Sequence, residues 1–267
     1  MKAYLAVLKL RLINGLQYRT AALAGIATQF FWGFLFIMIY EAFYSQNPAA
    51  PAITLRQLVS YIWLQQAFLA FIMIWFRDQE LLNLITSGNV AYELCRPAGI
   101  YGLWFSKLLA QRLAAALLRC FPILIAASLL PQPYRLIPPP DPAALGLFVI
   151  ALILGLLVLV ALSMFMYLSV FVTMSPAGSL MVFSTVGEFL AGMVIPLPLM
   201  PERLQRLVYL LPFRLTADLP FRIYSGNIPV GEAWRGIGIQ LVWLAALVIL
   251  GRWALGKVLR KVVIQGG

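Results

Sequence analysis

The stretch Ala144–Met174, ALGLFVIALILGLLVLVALSMFMYLSVFVTM, contains no Asp, Glu, Lys or Arg. A helix rises about 1.5 Å per residue, so about 20 residues cross the roughly 30 Å hydrocarbon core of a bilayer. This uncharged run is longer than that. It therefore predicts a transmembrane helix.

Five further apolar runs of comparable length occur along the chain, at about 21–43, 55–76, 101–130, 177–196 and 233–255. Apolar residues make up 63% of the sequence and charged residues 11%, against roughly 45–50% and about 25% in a soluble domain. Lipid can accept this excess because it solvates apolar helix faces. We expect an all-α integral membrane protein with six transmembrane helices in a single domain, residues 1–267.

The formal net charge is +11, and the sequence has no histidine. A basic chain first suggests a nucleic-acid partner, but these basic residues lie beside apolar runs and form no polar domain. Basic residues that flank membrane helices on the cytoplasmic side explain them better. Placing the N-terminus in the cytoplasm puts more Lys and Arg inside than outside, so both termini are expected to be cytoplasmic.

Catalytic and cofactor-binding motifs are weak. Cys95 and Cys120 are the only cysteines, and without histidine they offer little for a zinc or haem site. Gly251–Lys257 fits GxxxxGK, but Val258 replaces the magnesium-binding hydroxyl residue and the stretch ends an apolar helix. We expect no enzyme activity, no bound cofactor and no metal in this chain.

Residues 1–19 predict an amphipathic helix in the headgroup region. Apolar positions that can share one side are Leu5, Leu8, Ile13 and Leu16, and basic residues lying largely elsewhere are Lys2, Lys9 and Arg19. The alternative is a simple basic anchor that sets the topology.

Residues 77–97, RDQELLNLITSGNVAYELCRP, form the most polar connector. Asp78 and Glu80 favour the start of a helix, and Gly88 can end it. Leu81, Leu82, Leu84 and Ile85 make a short apolar stripe. A cytoplasmic helix that docks a partner and an ordinary connector both remain open.

Residues 196–220, PLPLMPERLQRLVYLLPFRLTADLP, follow the fifth run. Pro201 fits the first position of a helix, with Leu204, Leu207, Val208 and Leu211 along one side. A helix over 201–211 would reach only about 16 Å, which is too short to span. This favours a re-entrant helix on the outer side, with an interfacial loop as the alternative.

Several charges fall inside the apolar runs, and the third run carries Lys107 as well as Arg112 and Arg119. Arg112 and Arg119 are spaced to share one helix face, and Glu188 lies midway along the fifth run. A charge at that depth is costly without a partner or water. We expect Arg119 to pair with Glu188 and Arg112 to snorkel to the inner interface.

The order of these segments resembles the permease subunit of an ABC-2-type ABC exporter. The resemblance covers essentially the whole chain. It is carried by the basic start, by ITSGNVAYELCRP after the second run and by GMVIPLPLMPERLQRLVYLLPFR after the fifth; the opening KLRLINGLQYRTAALAGIATQFFWGF is similar to a less characterised branch of that family.

The resemblance implies a role for each segment. A coupling helix would dock a separate ATPase through Asp78, Glu80, Leu81, Leu84, Ile85 and Ser87. A connecting helix would use Lys9, Arg11 and Arg19, and the outer re-entrant segment would be marked by Pro196, Pro201 and Pro212. ATP and Mg would be bound by the partner ATPase.

The same resemblance implies two permease subunits, the second often a paralogous chain, in a bacterial plasma membrane. The absence of a clear charged stripe favours an amphipathic or lipid-linked substrate. The alternative is an ion-coupled secondary transporter or channel that works without ATP. A membrane-embedded enzyme fits poorly with so few acids and no histidine, and a scaffold subunit without a pathway stays open.

Overall fold

The computed structural model describes residues 2–17, 19–46, 52–95 and 97–260. Within them the chain forms α-helices and two short 3-10 turns, and no β-strand. The helices are α1 (Lys2–Gly15), α2 (Arg19–Gln46), α3 (Leu55–Ala67), α4 (Leu69–Ile72), α5 (Gln79–Thr86), α6 (Val90–Leu94), α7 (Ile100–Leu129), α8 (Pro142–Thr173), α9 (Pro176–Leu190), α10 (Glu202–Tyr209), α11 (Asp218–Tyr224) and α12 (Val230–Leu259).

Four helices are long and apolar enough to cross a membrane. They are Ala22–Gln46, Ile100–Leu129, Pro142–Thr173 and Val230–Leu259. These helices lie at the first, third, fourth and sixth apolar runs of the sequence. The chain is thus an all-α protein whose long apolar helices indicate a multi-pass membrane protein.

The second apolar run is not one continuous helix. Phe68 leaves the helical conformation at φ −105° and ψ 25°, which separates α3 from α4. The helical backbone ends at Met73, whose N–H still bonds to the carbonyl of Leu69. The expected uninterrupted helix over 55–76 is therefore replaced by two shorter pieces and an extended end.

The fifth apolar run also gives a shorter helix than expected. Helix α9 has 15 residues, which corresponds to about 22 Å. It ends at Leu190, and Gly192 follows with φ +80°. Glycine suits this left-handed conformation because it has no Cβ, so the chain turns here instead of continuing to Pro196.

Helix α8 lies at the centre of the bundle and packs against α12, α11, α7 and α9. Gly155 allows a close approach there, since a Cβ at this position would lie 3.0 Å from the carbonyl oxygens of Leu215 and Thr216. Gln240 of α12 is fully buried and donates to the carbonyls of Ala151, at 2.9 Å, and Leu215, at 2.8 Å. These contacts join α12 and the turn before α11 to the central helix.

The connecting segments gather at two opposite ends of the bundle. The α1 end contains α1, α5, α6, the start of α7 and the end of α12, and the α10 end contains α10, α11 and residues 130–141. At the α10 end, the Trp63 indole donates to the carbonyl of Tyr134 at 2.7 Å. The Asn227 amide donates to the carbonyl of Ala52 at 2.9 Å, so loops distant in sequence are joined there.

Residues 196–220 form several short helical pieces. Pro196 precedes the turn Leu197–Leu199, Pro201 precedes α10, and Pro212 precedes the turn Phe213–Leu215. Helix α10 is mostly exposed. Helix α11 is mostly buried between α3, α8 and α12. Of the two helices at this end, α11 is therefore the one that packs into the helix bundle.

Candidate docking site and membrane-depth cavity

Helix α5 begins at a buried carboxylate. The Asp78 side chain accepts hydrogen bonds from the backbone N–H groups of Glu80, at 2.9 Å, and Leu81, at 3.2 Å. The Asp78 N–H donates to the Tyr167 hydroxyl of α8 at 2.6 Å. Gly88, at φ +75°, follows the helix. Asp78 and Gly88 thus bound α5 as their residue types favour.

An ion-pair cluster joins α5 to its neighbours. Arg11 of α1 pairs with Glu80 and lies 3.8 Å from the Asp78 carboxylate. Lys107 of α7 lies 3.1 Å from Glu80 and 3.6 Å from Glu93 of α6. Burial opposes ionisation of the Glu80 carboxyl, but hydrogen bonds from Arg11 and Lys107 lower its pKa below the usual value. Four helices are therefore tied together by charge at the α1 end.

Asp78 and Glu80, both expected to dock a partner, have different surroundings. Asp78 is only 6% exposed and caps its own helix, so it cannot serve as a surface for a partner. Leu81 and Ile85 are buried, because the apolar stripe anchors α5 to its own subunit. Leu84 is half-buried and Ser87 is exposed.

The face of α5 that a partner could reach is polar. Its exposed residues are Gln79, Glu80, Asn83, Thr86 and Ser87. Tyr92 of α6, beside it, is 74% exposed. The apolar stripe in the sequence correctly predicted a helix here. The surface of α5 that a partner could contact is the polar face opposite that stripe.

Helix α1 packs along α7. Its own apolar side chains lie on all sides of the helix. Of the four apolar positions expected to share one side, Leu5 and Ile13 are 62% and 49% exposed, whereas Leu8 and Leu16 are half-buried. Tyr4, Val7 and Arg11 are also half-buried. A single apolar stripe is therefore not present, since one side of α1 faces protein and the other presents leucine and isoleucine outward.

The three connecting-helix residues have different surroundings. Lys9 is exposed, whereas Arg11 belongs to the ion-pair cluster. Arg19 begins α2, and its side chain lies outside the described part of the structure, as does residue 18 between the two helices. Of the three, Arg11 alone connects α1 to α5 in the described structure.

A cavity of about 480 Å³ lies at membrane depth beside α2, α3, α4, α7 and α9. Its apolar lining includes Trp32, Phe36 and Trp75. Its polar lining residues are Gln29, Gln65, Gln66, Thr28, Arg119 and Glu188. The cavity therefore offers both aromatic surface and hydrogen-bonding groups to a ligand or to water.

Arg119 and Glu188 both line this cavity, but no direct ion pair within 4.0 Å joins them in the described structure. Among the residues that line this cavity, three have a buried side-chain atom without a hydrogen-bond partner in the described structure: Arg119 Nε, Glu188 Oε1 and Gln29 Oε1. Buried polar atoms normally have partners. The cavity therefore brings these three polar residues to one place without pairing Arg119 with Glu188 directly.

Arg112 does not snorkel to an interface. It is 1% exposed, and its guanidinium donates to the carbonyls of Ala70, at 3.0 Å, Met73, at 2.6 Å, and Phe76, at 3.1 Å. It also donates to the Ser163 hydroxyl at 3.1 Å. Arg112 therefore satisfies the carbonyls that the broken second run leaves free.

A second buried charge group lies at the α10 end. Arg222 lies 3.4 Å from the fully buried Asp218 and donates to the Tyr209 hydroxyl and the Asn227 side chain, each at 2.6 Å. Burial raises the pKa of the Asp218 carboxyl, although Arg222 and Arg214 oppose the shift. These contacts hold α10, α11 and the following turn together.

Sequence reasoning missed several of the residues in these sites. Lys107 was noted only as a charge in the third run, yet it bridges α5 and α6. Gln29, Gln65 and Gln66 line the cavity, and their polarity within apolar runs was the signal that could have identified them. Within the described ranges, no group of three or more His, Cys, Asp or Glu could hold a metal ion.

No family model matches this chain, and no curated protein matches its sequence.

Proposed function

We propose that this chain is a permease subunit of an ATP-driven ABC exporter of the ABC-2 type. It would pair with a second permease and with separate ATPase subunits that bind ATP and Mg. The observation that carries the proposal is α5, a short helix at the α1 end. Charged contacts hold it on one face, and its polar face is exposed.

The ion-pair cluster would transmit motion from such a partner. Arg11 and Lys107 contact Glu80 from α1 and α7, so a displacement of α5 would displace both helices. Helix α7 also carries Arg119, which lines the membrane-depth cavity. ATP binding in the partner would thus alter the cavity, which is a coupling between two sites.

Six transmembrane segments are part of this proposal. The second would be α3 with α4, and the fifth would be α9 with the residues that follow it. The α1 end would face the cytoplasm of a bacterium, and α10 and α11 would form the outer re-entrant segment. This arrangement would place the exposed face of α5 where ATP is available.

The cavity supports an amphipathic or lipid-linked substrate. Trp32, Phe36 and Trp75 provide apolar surface, while Arg119 and Glu188 provide polar atoms without partners. A ligand with both apolar and polar parts would satisfy both groups of residues.

The docking proposal is tested at Asn83, which is exposed on α5 and has no role as a cap. Asn83→Trp should lower the amount of ATPase that copurifies, because a large ring on the contact face blocks packing. The matched control is Arg203→Trp, at an exposed position of α10. Equal ATPase recovery from both variants and the unmodified chain would refute docking through α5.

An ion-coupled transporter without ATP is the second candidate, and Glu188 is the observation that favours it. Its Oε1 atom lacks a hydrogen-bond partner and its side chain lines the cavity, as a proton- or cation-binding carboxylate would. In vesicles that contain this chain alone, an imposed ion gradient would then drive transport of the substrate. The variant Glu188→Gln would abolish this gradient-driven transport. Transport that requires ATP and a second subunit would exclude this candidate.

A further inference from the structure

A half-open groove of about 800 Å³ lies at the α1 end between α7 and α12. Its side walls are apolar and include Phe105, Val248, Leu255 and Leu259. Tyr4 of α1 closes one end, where its hydroxyl accepts a hydrogen bond from the Gly99 N–H at 3.0 Å. The groove is separate from the membrane-depth cavity and shares no lining residue with it.

The two exposed tryptophans of α12 indicate how deep the groove lies. Trp234 and Trp253 are 59% and 60% exposed. Trp253 follows Trp234 by 19 positions, which corresponds to about 28 Å of helix, close to the roughly 30 Å hydrocarbon thickness. Exposed tryptophans collect at membrane interfaces. Arg252, next to Trp253, therefore lies at headgroup level.

The rim of the groove is basic. The Arg252 guanidinium carbon lies 5.7 Å from the centre of the Tyr101 ring, and no carboxylate lies within 4.0 Å of it in the described structure. Lys257 is outside the lining, with its ammonium 3.9 Å from the centre of the Trp253 ring, so Arg252 is the basic residue of the lining. Glu93 is the acidic residue of the lining, and it is buried against Lys107. The charge that faces a ligand is therefore positive.

We propose that this groove binds a phospholipid with an anionic headgroup, from the leaflet at the α1 end. One acyl chain lies along the apolar walls, and the phosphate lies at Arg252. A basic rim above an apolar groove at headgroup depth matches this ligand in charge and in shape. The site does not depend on the proposed transport function.

The variants that test the site act on its two chemical features separately. Gly256 lines the groove, and a Cβ there meets nothing within 4 Å, so Gly256→Leu adds an apolar side chain at the groove wall. Gly238→Leu is its matched control, because Gly238 lies on the same helix, away from the groove, with the same free space. Arg252→Gln removes the rim charge, and Arg235→Gln removes an exposed charge near the opposite interface.

The full-length chain would be purified in mild detergent and titrated with phosphatidylglycerol or phosphatidylcholine. Native mass spectrometry would measure the lipid-bound fraction. Phosphatidylglycerol should bind more tightly than phosphatidylcholine. Arg252→Gln should weaken phosphatidylglycerol binding about fivefold, the effect expected from one basic residue near a membrane surface. Gly256→Leu should abolish the preference, while both controls should bind as the unmodified chain does.

Three results would overturn the proposal. Equal affinity for the two lipids would remove the claim of anionic selectivity. Unchanged binding in Gly256→Leu, or an equal loss in Gly238→Leu, would show that the lipid does not occupy this groove. A tenfold gain in binding on deletion of residues 261–267 would show that the chain's own end occupies the groove instead.

Discussion

Arg112 is predicted to hold the broken second run in place, and Arg112→Met tests this. Methionine keeps an apolar stem of similar length but donates no hydrogen bond. The carbonyls of Ala70, Met73 and Phe76 would each lose the donor that Arg112 provides. The Ser163 hydroxyl would keep its own bond to the Leu159 carbonyl at 2.9 Å.

The size of the effect follows from these three carbonyls. A buried polar group left without a partner costs about 1–3 kcal/mol. The Ala70 contact is buried and the other two are part-buried, so roughly 3–9 kcal/mol is the upper range for the three carbonyls. Removal of the buried charge returns a desolvation cost of several kcal/mol. We therefore expect Arg112→Met to lower the free energy of unfolding by about 3 kcal/mol.

The assay is equilibrium unfolding in mixed micelles, followed by tryptophan fluorescence. Arg119→Met is the matched control, since Arg119 lies on the same helix and makes no hydrogen bond to a described residue. It should change the free energy of unfolding by less than about 1 kcal/mol. Equal stability of Arg112→Met and the unmodified chain, or equal losses in both variants, would refute the reasoning.

Two further predictions concern other contacts. Because ion pairs lower the pKa of the Glu80 carboxyl, its contribution to stability is present above the pKa of the unfolded chain and is lost as pH falls through the lower folded value. Unfolding measured from pH 7 to about pH 3 should show this loss, and Glu80→Gln should remove it; an unchanged pH profile in the variant would contradict the ion pairs. Gly155→Ala should cost about 1–3 kcal/mol, because its Cβ would meet two backbone carbonyls. Gly146→Ala, with nothing within 4 Å on the same helix, should be neutral or stabilising, and similar melting temperatures for the two variants would refute the close approach.

The long helices could be predicted because their signal is local. The uncharged stretch of α8 by itself predicts a helix in an apolar environment. Asp78 and Gly88 mark the two ends of α5 through the backbone preferences of their residue types. The break at Phe68 could not be predicted in this way, because the run 55–76 contains no glycine or proline. Its free carbonyls are satisfied by Arg112, which belongs to another helix.

The roles of the charged residues were harder to predict because they depend on distant partners. Asp78 and Glu80 were assigned to an outside partner, yet Arg11 and Lys107 contact them within the chain. Arg119 and Glu188 were expected to pair directly, and the structure places them on one cavity instead. A sequence shows which residues carry charge, whereas packing decides which of them meet.

The proposed function requires that this chain binds specific partner proteins, so identifying those partners tests it most directly. The most direct measurement is purification of the tagged chain from its native membrane in mild detergent, with mass spectrometry of the copurifying proteins. The account predicts an ATPase with a Walker A motif near one-to-one with this chain, together with a second permease or a second copy of this chain. Recovery of the chain alone, even after crosslinking in the membrane, would contradict the account.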